Sequence, residues 1–285
     1  MTAFHPITCN AEPLASHRQA RQGQTAMNSL QSDEGAIGRV PQIFSKPRRA
    51  ARYRRALAMH RRGDGAHWLE DDLSADFLDR VDFMRLPQGQ AHIIGEIAGG
   101  LGSALIQRGI EPHESQPDTQ DEEAPWAKAQ FDYIFSLQTL DTINDLPGAL
   151  IHYREALKEK GLLFAQCLGA GSLPVLRQVM LAADGDRPAA RIHPQVDNRA
   201  ATGLLERAGF ARQVVDSRRL KVRYSSFARL LGDLRDQALT SVLQSPAPYL
   251  GKAGLERARE AFDAMREEDG KVTESFEILT LTGWR

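Results

Sequence analysis

Apolar and polar residues change rhythm several times along this chain, and each change predicts an element. The first 40 residues hold Ser, Gln, Asn and His, few apolar residues and almost no acids before Asp33. That composition predicts a disordered tail rather than an amphipathic targeting helix, and Met27 is an alternative start. Residues 46–62 carry eight Lys or Arg and no acid, with Tyr53, Leu57 and Met59 among them, which predicts a basic helix. Residues 70–82 carry six acids against Arg80 alone. Two neighbouring helices of opposite charge are expected to neutralise one another, with nucleic acid, an acidic partner or a membrane surface as alternative uses of the basic one.

From residue 91 strand-like and helix-like segments alternate, the pattern of a mostly parallel α/β sheet. Ala91-His-Ile-Ile94, Phe131-Asp-Tyr-Ile-Phe-Ser-Leu137 and Leu162-Leu-Phe-Ala-Gln-Cys-Leu168 read as buried strands. Helices are expected after Ser103, from Asp145 with Pro147 in its first turn to Lys158, from Ser172 to Ala183, and from Asn198 to Ala208 with Gly209 closing it. The last third differs. Residues 214–224 alternate as a half-exposed strand with Leu220, Val222 and Tyr224 on one face. Helical periods follow at 226–243 and 253–268, and residues 275–282 read as a terminal, antiparallel strand.

Composition narrows the class only a little. With 285 residues, 42% hydrophobic, 26% charged and a net charge of -1, the chain is long enough for a sizeable core and has no global bias toward nucleic acid. No apolar run approaches the ~20 residues of a membrane span, so a cytoplasmic protein is expected. Cys9 and Cys167 are far apart and unlike in context, which predicts neither a disulfide framework nor a zinc cluster. None of the eight histidines has the spacing of a two-histidine, one-carboxylate iron site, so no metal is expected.

The candidate chemistry sits in Glu96-Ile-Ala-Gly-Gly-Leu-Gly102, between the strand ending at Ile94 and a helix start. Strand, glycine turn and helix let a backbone come close to a cofactor and point amide N–H groups at it. A tight strand–helix turn needs glycine for steric reasons as well.

Three stretches in order, residues 96–102, Asp121-Glu-Glu-Ala-Pro-Trp126 and Phe131-Asp-Tyr-Ile-Phe-Ser136, resemble class I S-adenosylmethionine-dependent methyltransferases. Pro41-Gln-Ile-Phe44 with the arginine run, Leu204-Leu-Glu-Arg-Ala-Gly-Phe210, Asp233-Leu-Arg235 and the Phe276 to Trp284 segment are similar to one subgroup of them. It comprises alphaproteobacterial and mitochondrial relatives of the biotin-pathway malonyl-carrier-protein methyltransferase, including an arginine hydroxylase that assists complex I assembly. The resemblance implies a Rossmann-like sheet with a shortened first half, an N-terminal helical arm over residues 41–90, and a methyltransferase-like domain over 91–285 with an α+β elaboration from about residue 225.

The resemblance also implies S-adenosylmethionine as cofactor, with Glu96, Ala98, Gly99, Gly100 and Gly102 beside its methionine part. Asp121 would accept from the adenine amino group and Glu122 would line the base; a solvated acidic loop is the alternative for both. It names no catalytic residue. Implied partners are a protein or an acyl-carrier substrate. A catalytically silent assembly factor and an arginine hydroxylase are the alternatives. The departures are Glu96 for the usual Asp, Ala98 for the usual first Gly, and residues 109–121, whose two prolines and lack of apolar alternation predict no strand, leaving Glu111 or Glu114 to reach the ribose from a loop.

Overall fold

The computed structural model describes residues 41–63 and 65–285. The expected tail, the Met27 start and Cys9 lie outside the described residues. The chain divides into two units, Met1–Pro41 and Gln42–Arg285, and every element described belongs to the second.

Two helices come first, α1 (Lys46–His60) and α2 (Trp68–Met84). Strand β1 (Gly89–Ile94), helix α3 (Gly100–Ile106), strand β2 (Ile110–Ser115) and strand β3 (Phe131–Leu137) follow. A 3-10 turn (Leu140–Thr142) leads to α4 (Leu146–Ala156), β4 (Leu157–Leu168), α5 (Pro174–Asp184) and α6 (Asn198–Arg207). The chain closes with β5 (Arg212–Tyr224), α7 (Phe227–Asp236), α8 (Gly251–Asp263) and β6 (Val272–Trp284). Helix starts follow the capping rules: Asp145, Asp197 and Ser226 each accept a backbone N–H three residues on. No helix among the described residues is long and apolar enough to cross a membrane.

The six strands form one sheet in the order β2-β1-β3-β4-β6-β5. β2, β1, β3 and β4 are parallel, and β6 returns antiparallel between β4 and β5. The run 275–282 is thus part of a longer central strand. Its burial is matched by its composition: Phe276, Ile278, Leu279 and Leu281 are buried. Apolar side chains fill both faces. One core joins Ile134, Leu163, Tyr153, Leu205 and Phe210 beneath α4 and α6; the other joins Phe77, Ile93, Leu105 and Phe164 beneath α2 and α3. Cys167 lies buried in β4 as a free thiol, and burial raises it well above its ordinary range.

Two expectations are corrected. Residues 110–115 do form a strand, pairing parallel with β1 from Gly89↔Ile110 to Ile94↔Ser115. Only Ile110 of that strand is buried, so no apolar alternation announces it. It sits on the sheet edge, where Pro112 is tolerated because a single side has to be paired. What is missing is the connection after it, since residues 116–130 contain turns and no helix. The basic helix α1 also does not pair with the acids of α2. Its partners are Asp118, Asp121, Glu122 and Glu123, whereas Asp72 of α2 pairs with Arg218 and Asp82 with Arg108.

Candidate functional site

Neighbouring crossovers leave β1 in opposite directions, to β2 on one side and β3 on the other. That topology opens a crevice at the carboxyl ends of β1 and β3, where open α/β sheets bind ligands. The loop 96–102 leaves β1 there. Its conformation is fixed by two buried carboxylates. Glu96 Oε1 accepts from Leu101 N–H at 2.5 Å and Oε2 from Gly102 N–H at 3.3 Å. Glu70, reaching from the first turn of α2, accepts from Ile97 N–H at 2.9 Å and from Ala98 N–H at 2.5 Å. Burial pushes the Glu70 carboxyl up to about 7 against the pull of those N–H groups, and burial raises Glu96 as well.

Glycine is required at position 95 of this turn, and at position 102 it leaves room for a neighbouring side chain. A Cβ on Gly95, whose φ is +90°, would meet the Leu137 carbonyl oxygen at the end of β3. A Cβ on Gly102 would collide with Glu114 Oε1, so the absence of a side chain there admits Glu114 from the end of β2 beside Glu96. Gly99 and Gly100 differ, because nothing lies within 4 Å of where their Cβ atoms would be. Next to them is a cavity of about 430 Å³ bounded by Ile97, Ala98 and Gly100 on one side and by His60, Arg61 and His67 from the α1–α2 turn on the other. Asp71 holds His67 by a 2.6 Å contact to Nδ1.

Of the seven residues expected at the cofactor, Glu96, Ala98, Gly99, Gly100 and Gly102 are thus brought together at one loop. Asp121 and Glu122 lie in a second loop under α1. Asp121 pairs with Lys46 at 2.9 Å. Glu122 is fully buried and bound by four protein groups: Arg49, Thr139 Oγ1 at 2.5 Å, the Tyr153 hydroxyl at 2.5 Å and, through its carbonyl, His152 Nδ1 at 3.1 Å. Burial opposes the Arg49 charge, yet the Glu122 carboxylate beside it lifts the guanidinium above its ordinary range.

Helix α1 also spans the crevice itself. The Tyr53 hydroxyl donates to the Gln138 carbonyl at the end of β3, at 2.8 Å, and the ring packs with Ala56, Ile97 and Ala238. Gln138 has a φ of +53°, unusual for a residue with a side chain, and its buried Oε1 has no partner among the described residues. Strained backbone and an unsatisfied buried amide oxygen at a sheet's carboxyl end mark a functional position. Tyr53, Glu70 and Gln138 were not foreseen, Glu70 being hidden in a run of six acids. Glu114, a candidate together with Glu111, stands on an edge strand and not in the expected loop.

Residues 72–214 match a family described as a methyltransferase domain. A malonyl-[acyl-carrier protein] O-methyltransferase of Laribacter hongkongensis is 27% identical over 217 residues, 76% of this chain and 67% of that protein. The mitochondrial arginine-hydroxylase NDUFAF5 of Danio rerio is 29% identical over 188 residues, 64% of this chain and 59% of that one. The chain therefore spans about two thirds of the first relative's length and less of the second's. Among solved structures, phosphoethanolamine N-methyltransferase 2 of Haemonchus contortus, in complex with phosphomonomethylethanolamine and S-adenosylhomocysteine, aligns with a TM-score of 0.45 at 14% identity, covering 75% of this chain and 52% of that one. The 1,6-didemethyltoxoflavin-N1-methyltransferase of Burkholderia thailandensis aligns with a TM-score of 0.38 at 12% identity over 97% and 93%. The family match covers half of the chain and includes the glycine loop, and on that ground this chain belongs to the S-adenosylmethionine-dependent methyltransferase family.

Proposed function

We propose that this chain binds S-adenosylmethionine at the β1–β3 crevice and transfers its methyl group to an acceptor carried by a protein. The observation that carries this is the empty space over Gly99 and Gly100 beside the 430 Å³ cavity, a cradle that a Cβ would partly fill. The residues fit the group. The loop Ala98 to Gly102 supplies close backbone approach, and Glu96 and Glu114 place two carboxylates where a sulfonium and ribose hydroxyls favour them. When bound, the cofactor supplies an electrophilic methyl group. The protein's part is alignment and exclusion of water, since methyl transfer requires no covalent nucleophile. Asp121 stays half-exposed at the rim, with Lys46 as its present partner, as the remaining acceptor for an adenine amino group. Glu122 is committed to Arg49 and Tyr153, so its role in this reading is to anchor α1 rather than to line the base.

The relatives are named for O-methylation of a malonyl-carrier protein and for arginine hydroxylation, which supports a protein-borne acceptor. One observation favours a second reading, an assembly factor without turnover: Tyr53 already bridges Ile97 and Gln138 across the crevice. Calorimetric titration of the full chain with S-adenosylmethionine separates the two. Micromolar binding that is lost in Gly100→Leu supports the transferase; no heat at millimolar cofactor overturns it and leaves the assembly role.

A further inference from the structure

A second cavity, of about 190 Å³, lies where the carboxyl ends of β3 and β4 meet α5 and α7. Its walls are largely apolar, built from Leu168, Leu176, Leu231 and Leu234 among others, with polar side chains such as Gln195 and Arg235 interspersed. One polar atom within it is unsatisfied. Asp141, in the 3-10 turn after β3, has its Oδ1 buried without a hydrogen-bond partner among the described residues. Leaving a buried carboxylate oxygen unpaired is costly, so the site is built for something that donates to it. Burial raises the Asp141 carboxyl, and the Arg52 and Arg49 guanidinium groups pull it back.

The charges around Asp141 decide what kind of donor. Arg52 is buried and bonded to the Thr240 carbonyl and the Thr142 hydroxyl, and it has no carboxylate in direct contact. It stands as the countercharge of Asp141. His193 also lines the cavity; its Nε2 accepts the Val242 N–H at 2.8 Å, so the ring proton sits on Nδ1. Burial holds that ring neutral, with its titration pulled down to about 3. Arg191, paired with Asp184, and Arg235 also line the cavity, so Asp141 is the carboxylate among its lining residues.

We infer that this cavity is a binding site for a neutral, apolar molecule or acyl-like chain whose inner end carries a hydroxyl or N–H that donates to Asp141. Apolar walls with a few convergent polar groups are the usual construction of a small-molecule site. A carboxylate at the inner end brings no donor and sets its own oxygens against the Asp141 oxygen, which disfavours it there. On the transferase reading above, on which this assignment rests for its role, the cavity holds the acceptor; the binding chemistry stands without it.

Three probes of equal chain length test this on the full chain: 1-hexanol, 1-methoxyhexane and hexanoate, titrated by ligand-observed saturation-transfer NMR. A hydrogen bond to a charged group contributes roughly a tenfold preference or more, so 1-hexanol should bind about tenfold tighter than 1-methoxyhexane, and hexanoate should not compete. Asp141→Leu should erase the preference for the alcohol, Asp141→Asn should reduce it while keeping the side-chain volume, and Leu231→Trp, which fills the cavity, should abolish all binding. Thermal melts report which variants are folded. Equal affinity for the three probes, binding that survives Leu231→Trp, or no saturation of any probe overturns the assignment. A parallel titration with S-adenosylmethionine keeps the two readings apart. Cofactor binding without 1-hexanol binding removes the cavity assignment alone, and 1-hexanol binding without cofactor binding keeps the cavity while removing the transferase role.

Discussion

At the scale of single residues, four glycines of one turn have two different jobs, and substitution distinguishes them. Gly95 and Gly102 are glycine because protein atoms occupy the Cβ position; Gly100 is glycine with open space beside it. Gly95→Ala forces a side chain onto a backbone at φ +90° and against the Leu137 carbonyl, and should destabilise by about 2 kcal/mol or more. Gly100→Ala lies at the first position of α3, clear of every neighbour, and should leave the denaturation midpoint unchanged or slightly raised, since alanine is the better helix former. Urea unfolding of the two variants checks this, and equal losses would show that Gly100 is packed as tightly as Gly95. The loop itself was legible in the sequence, because strand, glycines and helix start are contiguous. Glu70 was not, since its role depends on a helix approaching the loop from a distant position; Glu114 was legible as a candidate, and the edge strand that carries it was not.

At the scale of elements, α1 is the least expected feature. Its charge pattern predicted an acidic partner, and the partner is acidic, yet it is the loop 118–123 and not α2. Sequence counts charges but does not say which acids face the helix; a 100-residue separation between Phe44 and Asn144, bonded at 2.8 Å, fixes that. The same helix uses its cations in two ways. Arg49 meets Glu122 in the interior, where removing one partner strands a buried charge, at a cost of about 3–5 kcal/mol. Arg54 meets Asp118 with the guanidinium largely exposed, a pair worth less than about 1 kcal/mol. Arg49→Ala should therefore lower stability severely, whereas reversing Arg54 to Glu should barely move it. If Arg54→Glu proved as damaging as Arg49→Ala in chemical denaturation, the docking of α1 through Glu122 would be wrong. Strand β2 teaches the same lesson from the other side: pairing with β1 overrode a segment with no strand pattern of its own.

At the scale of the whole molecule, the buried titratable groups set opposing slopes of stability with pH. His92, packed against Trp126 and bonded to Ser115, is pulled down to about 4 by burial, and His193 to about 3. Both have ordinary values of 6.5, so below that pH the unfolded chain binds more protons than the folded one. Their stabilisation is complete above 6.5 and is lost as pH falls toward 3. Glu70 acts in the other direction. Its folded value of about 7 exceeds the ordinary 4.5, so between those limits the folded chain holds the extra proton and stability falls as pH rises. Each group contributes at most about 1.4 kcal/mol per pH unit where it is fully titrating. Glu96, Asp141 and Glu274, whose carboxyls burial also raises, add slopes of the same sign as Glu70, so the contribution of Glu70 is read as a difference between two chains. Glu70→Gln removes the opposing slope while keeping an acceptor for Ile97 and Ala98. Relative to the unaltered chain, its stability should therefore gain with rising pH across the whole window from 4.5 to 7. Urea midpoints at half-unit steps measure both curves. Parallel curves would mean that Glu70 is ionised throughout, and that the two amides of the glycine loop outweigh its burial.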